Sequence, residues 1–230
     1  MVYINLMKVF IQARMSSTRL PKKVFINIIK KKHTLDLIIE KLLKIFKKKE
    51  LVVLTSQSKS DDPIKRYCNK KKVRYFRGSL SNVSKRFLNA LEKNKCKYFL
   101  RISADSPLID VRLIKTFLKN VKGNKYDIVT NVCPRTFPRG QSFEIIKTQT
   151  YINNFQKFKT KKDFEHVTSF FYNFRRNFRI KNIRSKKNYS KFSLALDTKD
   201  DLSKIKRILD ITKKADLNFL KYVSVLKEGF

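Results

Sequence analysis

The chain is poor in the residues from which covalent frameworks and nucleophilic triads are built. It has two histidines, three cysteines, four glycines and no tryptophan in 230 residues. Two histidines do not supply a nucleophile–histidine–acid arrangement, which argues against a serine or cysteine hydrolase. The cysteines are odd in number and widely separated, at Cys68, Cys96 and Cys133. This spacing is typical of reduced thiols and fits neither a disulfide framework nor a zinc, haem or iron–sulfur site.

Long apolar runs are also missing. No segment approaches the roughly 18–20 apolar residues that cross a bilayer, so we expect no membrane partner. The N-terminal stretch MVYINLMKVFIQAR is interrupted by Asn5 and Lys8 and lacks a small-residue cleavage site. These features favour a strand over a signal peptide and, with the reduced thiols, predict a cytoplasmic protein.

Acidic residues are scarce as well. The chain has 18 Asp and Glu against 55 Lys and Arg, a formal charge of +37. Such an excess invites a nucleic-acid-binding interpretation, because basic domains release counterions from phosphate backbones. The lysines are spread over nearly every segment, however, and the richness in Asn, Ile, Phe and Tyr is typical of an AT-rich genome. We therefore expect no nucleic-acid partner, and a basic nucleic-acid-binding protein is the alternative.

What is present is a regular alternation of short apolar runs and amphipathic segments. With 42% hydrophobic residues, residues 1–230 can form one domain with a substantial core. Strands alternating with helices of 10–15 residues indicate an α/β fold: a three-layer, mixed, mostly parallel sheet with helices on both faces. The predicted strands are 8–12, 51–55, 73–76, 98–102, 127–131, 143–147, 179–184 and 193–197.

The helices between them follow from apolar spacing and end signals. Thr34 is placed as the N-cap of the first helix, and Asp62 caps the second with Pro63 at its first position. Further helices are predicted from apolar residues at 83–91 and 113–121 and over 163–174 and 199–214. The stretch 132–142 contains two of the five prolines and is predicted to be a long loop.

A basic loop (residues 13–23) follows the first predicted strand. It offers hydroxyl and cationic side chains at Arg14, Ser16, Ser17, Thr18, Arg19 and Lys23. Free backbone N–H groups and cations of this kind bind phosphate, and ligands of parallel sheets bind at the carboxyl ends of strands. The loop matches neither the Walker nor the dinucleotide fingerprint. A solvated basic loop explains the same residues equally well.

Two aspartates follow other predicted strands. Asp105 comes after 98–102 and Asp197 ends 193–197. A lone turn residue or helix cap explains each of them separately, but the pair opposite a basic loop suits Mg²⁺, which takes one or two carboxylates. Weaker candidates are Arg77, Gly78 and His166, for which turn-forming or structural roles are the alternatives.

These motifs resemble a known family. IQARMSSTRLPKKVF resembles the I-Q-A-R-M-x-S-T-R-L-P-G-K-V-L signature of the spore-coat-polysaccharide type of cytidylyltransferases, relatives of the acylneuraminate and 3-deoxy-manno-octulosonate enzymes. The resemblance continues in order through SDDPI, FRGSLSNVSKRF, RISADSPLID, RTFPRG, FEHVT and LDTKDDL, covering residues 8 to about 210. It implies a nucleotide-diphospho-sugar transferase fold. It also implies CMP transfer from CTP to a sugar or sugar acid, with Mg²⁺ and pyrophosphate release, for surface polysaccharide biosynthesis.

The resemblance also implies the roles of individual residues. Arg19, Lys23 and Asp105 would be catalytic, and Asp105 and Asp197 would bind the metal. Nucleotide-binding residues would be Ala13, Arg14, Ser16, Thr18, Arg19, Lys23, Arg77 and Gly78. Acceptor-binding residues would be Arg139, Ser142 and Glu144. The oligomeric state is left open, with a homodimer as one candidate assembly.

The sequence departs from the family pattern at three positions. Ser106 replaces the cysteine that follows the metal-binding aspartate, and the other two departures are more informative. Lys22 replaces a glycine next to the phosphate-binding lysine, and Ser142 replaces an acidic residue expected near the acceptor. A family member that binds nucleotide without turnover is therefore a further alternative.

Overall fold

The computed structural model of the protein describes residues 7–121, 123 and 125–228. One seven-stranded sheet has the order β5-β4-β1-β6-β8-β7-β9, and β2 and β3 form a separate ribbon. The sheet is parallel except for β8, which runs antiparallel to β6 and β7. The strands are β1 (Met7–Gln12), β2 (Asn27–Ile29), β3 (Lys32–His33), β4 (Leu51–Ser56), β5 (Arg74–Gly78), β6 (Tyr98–Ser103), β7 (Ile128–Thr130), β8 (Glu144–Lys147) and β9 (Ile180–Asn182).

Helices cover both faces of the sheet because the central strands bury alternate side chains on opposite sides. Val9 and Ile11 share one core cluster with Ile38. Phe10 points to the other face, where its ring lies 5.7 Å from that of Phe87. The helices are α1 (Thr34–Leu42), α2 (Asp62–Lys71), α3 (Val83–Lys93), α4 (Val111–Asn120), α5 (Thr148–Phe155), α6 (Lys161–Glu165), α7 (Ser169–Asn173), α8 (Lys199–Thr212) and α9 (Phe219–Glu228). The predicted three-layer, mostly parallel fold is confirmed.

One predicted strand is wrong. Residues 193–197 form no strand, and the segment makes only an isolated bridge from Ser193 to Arg139 among the described residues. Its apolar alternation has another origin, because Leu194 and Leu196 are buried in a cluster that includes residues of α8 and α9. Asp197 therefore reaches its position from an irregular segment and not from the end of a strand.

Several helix predictions also need correction. The stretch 163–174 contains two short helices, α6 and α7, because the backbone is extended at His166. The N-cap of α1 is His33 instead of Thr34, whose hydroxyl bonds to the carbonyl of Lys23 instead. The N-cap of α2 is Asp61 instead of Asp62. The loop at 132–142 is confirmed, and residues 1–6 of the predicted N-terminal strand segment lie outside the described residues.

None of the helices that the structure describes is long and apolar enough to cross a membrane.

Candidate active site

The basic loop leaves the carboxyl end of β1 and folds back on itself. The Met15 carbonyl accepts hydrogen bonds from the N–H groups of both Ser17 and Lys22, at 3.0 Å each. The N–H groups of Arg14, Ser16, Thr18 and Arg19 donate to no acceptor within the described part of the chain. These donors are available to an anion. Ala13 differs, because its N–H already donates to the Leu54 carbonyl at 2.9 Å.

Asp61 anchors the start of this loop. Its carboxylate is fully buried; Oδ1 accepts the Met15 N–H at 2.7 Å, and Oδ2 accepts the Ser56 N–H at 3.0 Å. The Ser56 hydroxyl donates to Oδ2 at 2.5 Å as well. One buried carboxylate thus ties the loop after β1 to the end of β4. Asp61 belongs to the SDDPI motif. That motif predicts the start of a helix, and it does not predict the contact between Asp61 and Met15.

The two predicted metal aspartates converge on a single cation. Lys23 Nζ lies 2.6 Å from Oδ1 of Asp197 and 3.3 Å from Oδ2 of Asp105. Oδ2 of Asp197 also lies 3.0 Å from Arg139 and 3.3 Å from Arg19. Burial by itself raises the pKa of Asp197, but the hydrogen bond and charge of Lys23 and the charges of the two arginines outweigh it. The pKa of Asp197 is therefore below its usual range.

Asp105 and Asp197 are brought together by main-chain contacts between two loops. The Leu196 N–H donates to the Asp105 carbonyl at 2.7 Å, and the Leu194 N–H donates to the Arg139 carbonyl at 2.8 Å. Gly140 permits this approach: its φ is +86°, and a Cβ there would lie 2.6 Å from the Leu194 carbonyl carbon. A side chain at this position would separate the loop from the segment that carries Asp197.

The chemistry of Asp105 and Asp197 fits the oxygen ligands that a magnesium ion takes. Within the described residues no cluster of three or more His, Cys, Asp or Glu could hold a metal. Two carboxylates that approach the same ammonium from two sides nevertheless form a site of the kind that Mg²⁺ uses when waters and phosphate oxygens complete its coordination. Asp105 and Asp197 would hold the ion, and Lys23 would be released to a phosphate.

Lys22 adopts the backbone conformation that explains the family's glycine. Its φ of 57° and ψ of 20° lie in the left-handed region, and its side chain is exposed. A residue with a Cβ is strained there by roughly 1–2 kcal/mol. This left-handed turn directs Lys23 at the carboxylates, and Lys22 adopts it although glycine would be less strained there.

Two pockets meet along the basic loop. The polar one, about 230 Å³ in volume, is lined by Gln12, Arg14, Ser17, Thr18, Arg19, Lys23, Val24, Ser103, Ala104, Asp105 and Asp197. The second, about 600 Å³, is lined by Arg14, Ser16, Leu80, Ser81, Asn82, Val83, Lys161, Phe164 and Glu165. Arg14 borders both. One ligand could therefore place a charged group in the polar pocket and a larger, partly apolar group in the second pocket.

Arg77 and Gly78 have structural contacts. The Arg77 guanidinium donates to the carbonyls of Ser56 and Ser58 and pairs with Asp62 at 2.7 Å, so it braces the loop after β4. A Cβ on Gly78 would lie 2.9 Å from the stem of Arg86, a fully buried side chain. Their roles in nucleotide binding remain predictions.

A third pocket contains two of the predicted acceptor residues. Glu144 is buried in β8, forms a short ion pair with Arg101, and accepts the hydroxyls of Thr168 and Tyr172 at 2.6 Å each. Ser142 accepts a hydrogen bond from Arg135 at 3.0 Å. Arg139, the remaining predicted acceptor residue, does not line this pocket and pairs with Asp197 at 3.0 Å. We call this space, about 280 Å³, the Glu144 pocket.

Comparison with known proteins agrees with this architecture. The family described as Cytidylyltransferase matches residues 8–225. The chain belongs to the cytidylyltransferase family. The solved structure of a cytidylyltransferase from Leptospira borgpetersenii serovar Hardjo-bovis superposes with a TM-score of 0.89 at 26% identity, covering 97% of this chain and 94% of that one.

Two further relatives show how far this cytidylyltransferase resembles other proteins. It is 28% identical over 210 residues to the spore coat polysaccharide biosynthesis protein SpsF of Bacillus subtilis, covering 86% of this chain and 84% of that protein. CMP:2-keto-3-deoxy-manno-octonic acid synthetase, solved with CTP, has a TM-score of 0.66 at 14% identity and covers 90% of this chain and 99% of that one. The second similarity is one of fold.

Sequence reasoning placed the basic loop and both aspartates of this cytidylyltransferase, but it missed three residues of the site. The sequence pattern indicates only a helix start at Asp61, a strand at Gln12 and a loop at Arg135. Gln12 lines the polar pocket that contains Lys23 and accepts hydrogen bonds from Arg101 at 3.2 and 3.4 Å. Gln12 and Asp61 have partners that are distant in sequence, at Arg101 and Met15, so no local pattern marks them.

Proposed function

We propose that this cytidylyltransferase transfers CMP from CTP to a hydroxyl group of a sugar or sugar acid and releases pyrophosphate. The observation that carries the proposal is the convergence of Lys23, Asp105 and Asp197 beside a loop with unpaired N–H donors. This arrangement combines anion-binding groups with a two-carboxylate site, as binding of a metal–triphosphate requires.

CTP would occupy the two adjoining pockets. The triphosphate would lie on the free N–H groups of the basic loop, with Arg19 and Lys23 neutralising its charge. The nucleoside would extend past Arg14 into the larger pocket, where Leu80 offers an apolar surface and Ser81 and Asn82 offer polar groups. The choice of cytosine is supported by the family and by the CTP that the octulosonate synthetase binds.

The chemistry is an in-line displacement at the α-phosphorus. The acceptor oxygen forms a bond to phosphorus, the bond from phosphorus to the bridging oxygen of the β-phosphate breaks, and the hydroxyl proton leaves to solvent. Magnesium, when bound by Asp105 and Asp197, would supply charge neutralisation at the phosphates. The side chains Arg19 and Lys23 would offset the charge that develops on the departing pyrophosphate, and the loop would hold the phosphates in line.

The product would serve surface polysaccharide biosynthesis. This part of the proposal is supported by the name of the Bacillus subtilis relative, a spore coat polysaccharide biosynthesis protein.

Pyrophosphate release tests the proposal directly. We expect release with CTP, Mg²⁺ and a member of a panel of sugars and sugar acids, and much less with ATP, GTP or UTP. Thermal stabilisation by CTP and Mg²⁺ is the binding readout and needs no acceptor. Tight binding to DNA or RNA at about 150 mM salt without any response to CTP would contradict the proposal and favour the nucleic-acid alternative.

A further inference from the structure

A lysine-lined pocket of about 300 Å³ is formed by the β2–β3 ribbon, by α1 with the turn after it, and by the segment between α8 and α9. We call it the Lys41 pocket. Its six lysines are Lys30, Lys32, Lys41, Lys44, Lys213 and Lys214. Within the described part of the chain, it shares no lining residue with the polar pocket that contains Lys23. The two pockets are therefore separate sites.

The two carboxylates in the lining of the Lys41 pocket are already paired. Oε2 of Glu40 lies 2.7 Å from Nζ of Lys32, and Oδ2 of Asp216 lies 2.5 Å from Nζ of Lys44. Four lysines are left, and none of them forms an ion pair among the described residues: Lys30, Lys41, Lys213 and Lys214. The lining therefore has positive charge that its own acidic residues do not compensate.

Lys41 is the buried member of this group. The residue is 3% exposed, and its ammonium donates to the carbonyls of Pro107 at 2.8 Å and Ile109 at 3.3 Å. These two hydrogen bonds fix the position of the ammonium at the pocket. An ammonium has three N–H donors, so the two carbonyls leave one donor for a ligand.

The buried charge of Lys41 has no counter-ion of its own. The two carboxylates that act on it electrostatically, Asp110 and Asp216, are engaged by other cations. The Asp110 carboxylate lies 2.8 Å from the Arg112 guanidinium, and that of Asp216 is paired with Lys44. A buried charge whose hydrogen-bond partners are all neutral is costly, and an anion in the pocket would lower that cost.

The amount of charge favours a phosphate group over a carboxylate. A phosphate monoester carries about 1.5–2 negative charges at pH 7 and three acceptor oxygens, so it can compensate more of these lysines than a carboxylate can. Lysine ammonium groups are compact point charges and bind phosphate in many orientations. The pocket also has an apolar wall, formed by Ile29, Leu37 and Ala215, which an organic group attached to the phosphate would contact.

We propose that the Lys41 pocket binds a small organic phosphate ester at a site separate from the candidate active site. The phosphate group would lie among the four lysines that form no ion pair, and the organic group would lie against the apolar wall. The proposal is independent of CMP transfer, because none of the residues placed in that reaction lines this pocket.

The test measures the binding of three probes by calorimetry at about 150 mM salt, where weak attraction to surface charges is screened. The probes are phenyl phosphate, inorganic phosphate and benzoate. Lys41→Met removes the buried charge, and the double variant Lys213→Gln/Lys214→Gln removes two exposed ones. The matched control is Lys186→Gln/Lys187→Gln, an adjacent pair of exposed lysines in the segment between β9 and α8. Lys23→Ala reports any binding of the probes at the candidate active site.

We expect phenyl phosphate to bind more tightly than benzoate, because of its charge, and more tightly than inorganic phosphate, because of the apolar wall. Lys41→Met should raise the Kd for phenyl phosphate roughly ten- to a hundredfold, the range of a buried charge-assisted hydrogen bond. The double variant at 213 and 214 should raise it roughly three- to tenfold, since exposed charges contribute less. The control pair and Lys23→Ala should leave this Kd unchanged.

Several results would overturn the proposal. Phenyl phosphate that does not bind, or binds no more tightly than benzoate or inorganic phosphate, would exclude the ligand class. An equal loss in the control pair would show general attraction to a basic protein, and loss in Lys23→Ala would place the probe in the candidate active site. Circular dichroism verifies that Lys41→Met is folded. If it is not, an unchanged Kd in the double variant at 213 and 214 is sufficient to reject the site.

Discussion

Lys23 Nζ lies 2.6 Å from Oδ1 of Asp197, a residue 174 positions further along the chain. The same ammonium lies 3.3 Å from Asp105, so one cation holds together the two carboxylates that would bind magnesium. Arrival of a metal–nucleotide complex would exchange these ion pairs, with the metal taking the carboxylates and Lys23 taking a phosphate. Breaking the ion pairs of Lys23 with the two carboxylates would then cost little free energy, because each of these charged groups gains a new partner of opposite charge.

The carboxylate pair gives the first prediction. Asp105→Asn and Asp197→Asn should each lower kcat/KM roughly a hundredfold or more, because each removes a negative ligand from a hard cation. Pyrophosphate release measured across a Mg²⁺ titration would show the loss, and circular dichroism would verify the fold. Full Mg²⁺-dependent activity in either variant would contradict the metal assignment.

Three neighbouring cations of the basic loop should differ in importance. Arg19→Ala and Lys23→Ala should lower kcat/KM roughly ten- to a hundredfold, because charge-assisted contacts to phosphate contribute about 1.5–3 kcal/mol. Lys22→Ala serves as the matched control and should change it little, since the Lys22 side chain is exposed. Equal small effects from all three would mean that the loop is merely solvated.

The backbone at Lys22 predicts a stabilising substitution. Lys22→Gly should raise the free energy of unfolding by about 0.5–1 kcal/mol, because relief of left-handed strain exceeds the added chain entropy of glycine. Lys22→Ala should bring no such gain, since alanine has the same Cβ. Urea denaturation compares the two variants, and a destabilised glycine variant would refute the strain argument.

Asp61 should matter for the shape of the basic loop. Asp61→Asn should lower the free energy of unfolding by about 1–3 kcal/mol, because an amide cannot accept all three hydrogen bonds from Met15 and Ser56. The KM for CTP should also rise, since the Met15 backbone is no longer held. Asp62→Asn is the control, as its carboxylate is partly exposed and pairs only with Arg77 among the described residues. Indistinguishable variants would argue against an anchoring role.

Lys41 predicts a dependence of stability on pH. Its ammonium is buried in α1, where it donates to the carbonyls of Pro107 and Ile109, and desolvation lowers its pKa to about 7. Nearby Asp110 and Asp216 oppose this decrease, while Arg112 and Lys44 add to it. Between about pH 7 and 10 the unfolded chain binds a proton at this site that the folded chain does not, so folded stability should rise with pH.

The rise is measured by difference. The unfolding free energy of the unaltered chain minus that of Lys41→Met should increase by up to about 1.4 kcal/mol per pH unit from pH 7 to 9.5, a limit set by one proton. Below pH 7 both states of Lys41 are charged and the difference should level off. A flat difference across the whole range would show that Lys41 keeps its ordinary pKa.

The periodicity of the sequence was sufficient to predict the central sheet and its helices, and to predict that the basic loop and Asp105 lie at the same edge of that sheet. The short apolar runs of β1, β4 and β6, which are buried on both faces of the sheet, and the 3.6-residue spacing in the helices are local properties, so they predicted the mostly parallel sheet. The carboxyl ends of parallel strands lie at one edge of the sheet, so strand order alone predicts that the basic loop lies near Asp105. The strand prediction was wrong at 193–197. Leu194 and Leu196 are buried against helices α8 and α9, which gives the segment the apolar pattern of a strand although it is not part of the sheet.

Tertiary structure decided which side chains meet. Arg139 reaches Asp197 across 58 residues and Met15 reaches Asp61 across 46. Such contacts depend on which loops lie next to each other in the folded chain. Loop sequences have no regular spacing of apolar residues, so these contacts could not be predicted from them. The charge of the Glu144 pocket is decided in the same way. Glu144 pairs with Arg101, while Arg135 donates to the Ser142 hydroxyl and forms no ion pair among the described residues, and neither the net charge of +37 nor the motif RTFPRG contains that information.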